Sequence, residues 1–218
     1  MSSKAFLFDL NGTIIDDMGF HTIAWHKILT EDLGANLTQD EVKLQMYGKN
    51  SELLERVFGA GHFSDEEMER YSFEKERRYQ EAYRPYLKLI DGLDLFLEKA
   101  HLKNVKMAIG SAAIPFNIDF VLDNLKIRRY FPVVVSADDV VLSKPDPETF
   151  VKAADLLGIN PLDCIVFEDN PKGVEAALRG GMKAVVITTM HEPWEFKHLP
   201  NILAFVDNYT DPFLDTLL

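Results

Sequence analysis

Short unbroken apolar runs alternate with amphipathic stretches along most of this chain, but residues 16–86 show helical spacing only. Ala5-Phe6-Leu7-Phe8 is an apolar run closed by Asp9 and the turn pair Asn11-Gly12, which predicts a buried strand ending in a tight turn. Residues 18–33 follow with Phe20, Ile23, Ala24 and Ile28 near one face of a predicted helix. Thr38 and Glu41 form a capping box that opens a helix to about Tyr47. Gly48-Lys49-Asn50 is a turn, after which Leu53, Leu54, Val57 and Phe58 resume helical spacing. Ser64 and Glu67 form a second capping box before a long charged helix to about Tyr83, stopped by Pro85.

Beyond residue 86 the period changes. Helices are predicted over 93–101, 115–125, 147–157 and 171–179. Strands are predicted over 105–109, 133–135, 165–167 and 184–187. Continuous apolar runs alternating with helices indicate a parallel sheet covered on both faces. The expected fold class is therefore α/β, a doubly wound parallel sheet with an inserted helical domain. The expected boundaries are residues 1–15 and 87–218 for the sheet domain and 16–86 for the insert.

Composition narrows this further. A chain of 218 residues with 47% hydrophobic and 27% charged side chains is an ordinary globular protein that folds without a disulfide or structural metal. Its 23 basic and 35 acidic side chains give a net charge of -12, and neither half is basic, so no nucleic-acid partner is expected. Cys164 is the sole cysteine and reads as a small buried strand residue, which excludes a cysteine-pair zinc site and fits a reducing compartment. The apolar run near the N-terminus is too short for a signal peptide, and no run approaches the ~18 apolar residues of a membrane span. A cytoplasmic monomer with no membrane partner is expected.

In a doubly wound sheet, ligands bind beyond the carboxyl ends of the strands. Asp9 and Asn11 stand at the end of the first predicted strand and Ser111 at the end of the second. Lys144-Pro145 follows the third after a short loop, and Glu168-Asp169 closes the fourth. Three carboxylates, a lysine and a hydroxyl at one edge suit a cation together with a phosphate. A carboxylate can also attack phosphorus and carry a phosphoryl group, while a lysine offsets charge gathering on its oxygens.

In chain order, Asp9-Leu10-Asn11-Gly12-Thr13, the strand ending in Ser111, Lys144-Pro145 and Glu168-Asp169 resemble the four motifs of the haloacid dehalogenase superfamily. The helical insert resembles the cap of its β-phosphoglucomutase-like branch. The resemblance implies a Rossmann-like core and Mg²⁺ as cofactor. It makes Asp9 the nucleophile and a metal ligand, with the Asn11 carbonyl and Asp169 as further ligands and Glu168 assisting. It gives Ser111 a hydrogen bond to the phosphoryl group and makes Lys144 the neutralising cation. In the insert it places His21, Trp25, Lys49 and Lys75 toward the substrate, with helix packing as the alternative for His21 and Trp25 and a solvated face for Lys75.

This sequence departs from the family pattern at three places. Asn11 replaces the aspartate that acts as general acid and base, and an amide has no proton to give near neutral pH. The loop Gly48-Lys49-Asn50-Ser51 lacks the arginine that grips a distal phosphate in sugar phosphomutases. Ala112, Ala113, Ile114 and Pro115 replace the polar residues those mutases place after the motif serine. The leading expectation is a Mg²⁺-dependent phosphohydrolase for a small phosphorylated metabolite, such as a sugar phosphate, with activity impaired by Asn11. The alternatives are a β-phosphoglucomutase, a non-catalytic phosphometabolite-binding protein and a 2-haloacid dehalogenase. Glu168 beside Asp169 argues against the last, since that chemistry needs no metal. Whether Asn11 is natural or a deliberate replacement stays open.

Overall fold

A computed structural model describes residues 4–218. The chain enters through β1 (Ala5–Phe8) and passes into α1 (Met18–Lys27), α2 (Gln39–Lys43), α3 (Asn50–Phe58) and α4 (Asp65–Tyr83). It then alternates: α5 (Leu93–Leu102), β2 (Lys106–Gly110), α6 (Pro115–Asn124), β3 (Val133–Val135), α7 (Glu148–Leu157), β4 (Cys164–Glu168), α8 (Pro171–Arg179), β5 (Lys183–Ile187) and β6 (Ile202–Val206). Packing divides it into two units. One ends its first segment at Asp16 and resumes over Lys88–Leu218, and the other is Asp17–Leu87.

The first unit is a six-stranded sheet in the order β3-β2-β1-β4-β5-β6, with every neighbouring pair parallel. All four residues of β1 are buried, as a central parallel strand requires. Their side chains alternate between two different cores. Ala5 and Leu7 join Val166, Phe150, Ala153 and Ala177, the layer filled by α7 and α8. Phe6 and Phe8 point the other way, where Phe8 stacks on Phe167 at 4.6 Å and Phe6 on Phe96 of α5 at 5.6 Å. The strand order reverses between β1 and β4, and the crevice beyond the carboxyl ends of that pair is where such sheets bind ligands.

The sixth strand has no counterpart among the sequence expectations. Its connection from β5 contains only a 3-10 turn over Pro193–Phe196, so the helical half of the alternating pattern is missing. It is also an edge strand, with Leu203 and Phe205 partly exposed. Cys164 opens β4 as a buried residue, and burial pushes its thiol up to about 11. Among the described residues no helix is long and apolar enough to cross a membrane.

The helical unit holds both expected capping boxes, Thr38 with Glu41 and Ser64 with Glu67. Two expectations fail there. The helix from Thr38 stops at Lys43 instead of Tyr47, because the Arg56 guanidinium donates to the carbonyls of Gln45 and Tyr47, both at 2.7 Å, and holds a turn. The buried face of α1 is His21, Ala24 and Trp25, continued by Ile28 and Leu29 in a π-helical turn, whereas Ile23 is exposed.

His21 takes a core position because every polar atom of its ring has a partner. Nε2 faces the Asp17 carboxylate at 3.2 Å, Nδ1 lies 2.7 Å from Lys75 Nζ, and the ring stacks on Tyr79 at 3.7 Å. Lys75 donates to Glu76 Oε1 at 2.9 Å, and Asn50 Nδ2 donates to the same oxygen at 2.7 Å. Tyr79 donates its hydroxyl to Asp17.

Burial works against the Glu76 charge, but the Lys75 ammonium, His21 and the Asn50 hydrogen bond outweigh it and hold the carboxyl at about 2. An unfolded glutamate titrates near ~4.3. The folded value is the lower one, so Glu76 contributes stability above ~4.3 that is lost as pH falls toward its folded value. Thermal melts of the parent and of Glu76→Gln between pH 7 and pH 3 should therefore converge as the pH drops, with the variant less stable at pH 7.

Candidate active site

Three loops at the carboxyl edge of the sheet, after β1, β3 and β4, meet around one ammonium. β1 pairs in register with β2 and β4, Phe8 opposite Ile109 on one side and Phe167 on the other. Asp9 and Glu168 therefore leave adjacent strands at one level, and the Asp9 N–H still donates to the Phe167 carbonyl at 3.0 Å. Lys144 Nζ lies between them, donating to Asp9 Oδ1 at 2.7 Å and to Glu168 Oε1 at 2.8 Å. Its ammonium also sits 4.4 Å from the centre of the Phe150 ring. All three side chains are buried, and so is Asp169.

Glu168 is held at both ends of its carboxylate. While Oε1 takes the lysine, Oε2 accepts the N–H groups of Asp169 at 2.9 Å and Asn170 at 2.8 Å. Glycines leave the room for this. A Cβ on Gly173 of α8 would stand 1.7 Å from Glu168 Oε1. Gly12, with φ +74°, lies under the other acid, where a Cβ would stand 2.2 Å from Asp169 Oδ2.

One ammonium does not balance three carboxylates in a buried site. Burial raises the Asp9 carboxyl to about 7, with Lys144 pulling down and Glu168 pushing up. Burial raises Asp169 as well, and the negative Glu168 and Asp9 add to it. Burial alone would discharge Lys144, but Asp9 and Glu168 outweigh it and hold the ammonium above the ordinary lysine range. Ligand oxygens of Asp9, Glu168 and Asp169 lie within 4.8 Å of one another, close enough to share one small cation. Oxygen donors with excess negative charge fit a hard divalent ion.

A model of the haloacid dehalogenase-like hydrolases matches residues 3–181, which takes in the loops after β1, β2, β3 and β4. The chain belongs to this family.

Among haloacid dehalogenase-like relatives, the chain is 31% identical to the β-phosphoglucomutase of Bacillus subtilis, over 84% of this chain and 82% of that one. It is 30% identical to the fructose-1-phosphate phosphatase YqaB of Escherichia coli, over 82% and 93%. A family IA hydrolase structure from Entamoeba histolytica superposes with a TM-score of 0.87 at 26% identity, covering 98% of this chain and 97% of that one. The β-phosphoglucomutase of Clostridium difficile gives 0.85 at 26%, covering 100% and 97%.

Not every residue expected at a haloacid dehalogenase-like site joins the charged cluster. Ser111 follows β2 directly, buried, with its N–H on the Val135 carbonyl at 2.9 Å and its hydroxyl accepting from the Ala113 N–H at 3.1 Å. Ala112 is half-buried beside it, and Asn11 is half-buried in the turn after β1. In the helical unit, His21 and Lys75 form the buried network with Asp17 and Glu76, so Lys75 is not on a solvated face. Trp25 lies in that unit's core with Leu29, Val42 and Leu54, and Lys49 is half-buried at the N-cap of α3. The glycine cradles were not foreseen. The signal for Gly173 was its place in the first turn of a helix that begins beside two acids.

Gly173→Ala should cost about 2–5 kcal/mol, or roughly 5–20 °C in melting temperature, because the methyl displaces Glu168. Gly180→Ala, whose Cβ would meet nothing nearer than 3.4 Å, is the matched control and should melt close to the parent. Thermal melts of the three proteins check this.

Proposed function

We propose that this protein is a Mg²⁺-dependent phosphohydrolase acting on a small phosphorylated metabolite of the sugar-phosphate kind. The observation that carries the reading is the buried Asp9–Lys144–Glu168–Asp169 cluster at the reversal point of the sheet in a chain of this family. The relatives named for phosphatase activity toward fructose 1-phosphate and, in Thermotoga maritima, phosphorylated carbohydrates support the substrate class.

Asp9, the Asn11 carbonyl and Asp169 would hold the cation, with Glu168 supporting them. The ion's contribution when bound is to neutralise charge on the nucleophile and the phosphoryl oxygens. An Asp9 carboxylate oxygen attacks phosphorus, forming an O–P bond as the ester P–O bond breaks. The leaving alkoxide departs with that bond's electron pair and requires a proton. Lys144, already between Asp9 and Glu168, balances charge on the transferring group, and the Ser111 hydroxyl hydrogen-bonds it. Water then attacks the aspartyl-phosphate, releasing inorganic phosphate and restoring Asp9. Asn11 neither protonates the alkoxide nor deprotonates that water, so both steps are slow.

A β-phosphoglucomutase is the second reading, favoured by the Bacillus subtilis relative. Ala112 to Pro115 and the loop without arginine weigh against it, since a mutase must hold a second phosphate.

Mg²⁺ at about 100 times its Kd should stabilise the parent by about 2.7 kcal/mol, a rise of roughly 5–10 °C in melting temperature. Asp169→Asn should lose that rise. Equal rises in the two proteins would overturn the assignment of the cation to this cluster. A second outcome concerns Asn11. Asn11→Asp should raise steady-state turnover of a sugar phosphate by roughly 10²–10⁴-fold, and first-turnover release from an activated aryl phosphate far less, because only the sugar alkoxide needs an acid. Phosphate release and sugar-phosphate isomer analysis on the same samples separate hydrolase from mutase. An unchanged sugar-phosphate turnover would remove Asn11 from the acid/base position.

A further inference from the structure

The segment between β5 and β6 contributes no carboxylate to the site, yet it reaches two of the loops that do. Thr189 Oγ1 donates to the Gly12 carbonyl at 2.6 Å. The next carbonyl along that turn, Thr13, accepts the Tyr209 hydroxyl at 3.0 Å. Consecutive carbonyls of the turn after Asp9 are thus fixed by side chains from after β5 and after β6. Gly12 is also the residue whose missing Cβ makes room for Asp169.

Two residues on, His191 reaches the other loop. Its Nε2 lies 3.4 Å from Asn170 Nδ2, and its Nδ1 lies 3.0 Å from Glu195 Oε2. The orientation of the Asn170 amide is set independently, because its Oδ1 caps α8 by accepting the Lys172 N–H at 2.9 Å. The NH₂ group therefore faces His191. A neutral ring with its proton on Nδ1 satisfies both contacts, donating to Glu195 and accepting from Asn170. Asn170 also gives its backbone N–H to Glu168 Oε2.

The segment is anchored at each end. The Thr188 N–H donates to the Val206 carbonyl at 3.0 Å and its hydroxyl to Asp207 at 2.7 Å. Phe196 is buried, with its ring 5.6 Å from that of Phe205. A strap fixed at both ends and bonded to both loops sets their separation.

We infer that Thr189 and the His191–Glu195 pair are positioning residues for the cation site, holding the Asp9–Gly12 turn and the Glu168–Asn170 turn at the spacing the ion requires. This rests on the proposed reading of Asp9, Asn11 and Asp169 as the cation's ligands. Partners that orient metal ligands are worth roughly 10–100-fold in metal affinity.

Calorimetry with MgCl₂ on the full chain tests it, beside melting temperatures taken without Mg²⁺. Thr189→Val and His191→Phe should each weaken Mg²⁺ binding roughly 10–100-fold, and Thr189→Ser, which keeps the hydroxyl, should stay within about threefold of the parent. A merely structural role would lower the metal-free melting temperature and leave the Mg²⁺ Kd alone. Parent affinity in folded Thr189→Val and His191→Phe overturns the inference. So does an equal loss in Thr189→Ser and Thr189→Val, which assigns the effect to packing. If Thr189→Val does not fold, His191→Phe decides on the same scale. Failure of the parent itself to bind Mg²⁺ overturns the cation reading, whereas parent binding with unaltered variants overturns only the strap.

Discussion

The ammonium of Lys144, buried between Asp9 and Glu168, is the contact on which the rest of the site depends. Two carboxylates leaving adjacent strands at the same level repel each other, and in a buried site that repulsion is strong. The lysine turns the repulsion into a pair of hydrogen bonds and fixes where each acid points. Because it enters from the loop after β3, it also ties that edge of the sheet to the central pair. A parallel sheet supplies the frame for this. Strands in register end together, so residues far apart in sequence arrive at one edge.

The helical unit solves a related problem with different chemistry. It too buries charge, but the Lys75 ammonium pairs with Glu76 and reaches His21, which faces Asp17, while Asn50 and Tyr79 add neutral donors. Nearly every polar group there is answered by another in the same unit. The sheet unit, by contrast, holds more negative charge than its own side chains balance. In the helical unit the polar atoms find partners within the network, whereas in the sheet unit three buried carboxylates share one ammonium.

The sheet was legible because β1 to β5 are short apolar runs bounded by turn residues, and the four loops were legible because acids, a serine and a lysine fell at or just beyond the strand ends. What was not legible has specific causes. β6 lacks the helix that marks a parallel crossover and is exposed along one edge. His21 scores as polar, so its place in the buried stripe of α1 went to Ile23, and the reason lies in partners as distant in sequence as Lys75. The length of α2 was set by Arg56, whose reach to the carbonyls of Gln45 and Tyr47 leaves no trace in local spacing. Gly12 and Gly173 could be read as turn and helix residues, but the space they leave for Asp169 and Glu168 is a tertiary property.

The double engagement of Glu168 bears on the choice between cations. Both its oxygens are occupied, one by Lys144 and the other by two backbone N–H groups. Asp9 likewise has Oδ1 on the lysine. Neither carboxylate is free to rotate into a two-oxygen grip on an ion. Calcium takes six to eight oxygens in a flexible shell and favours such grips, whereas magnesium accepts few protein oxygens and keeps its waters. The hydrogen bonds that lock these two acids limit each to a single-oxygen contact, which suits the magnesium ion of the proposed function better than the larger calcium.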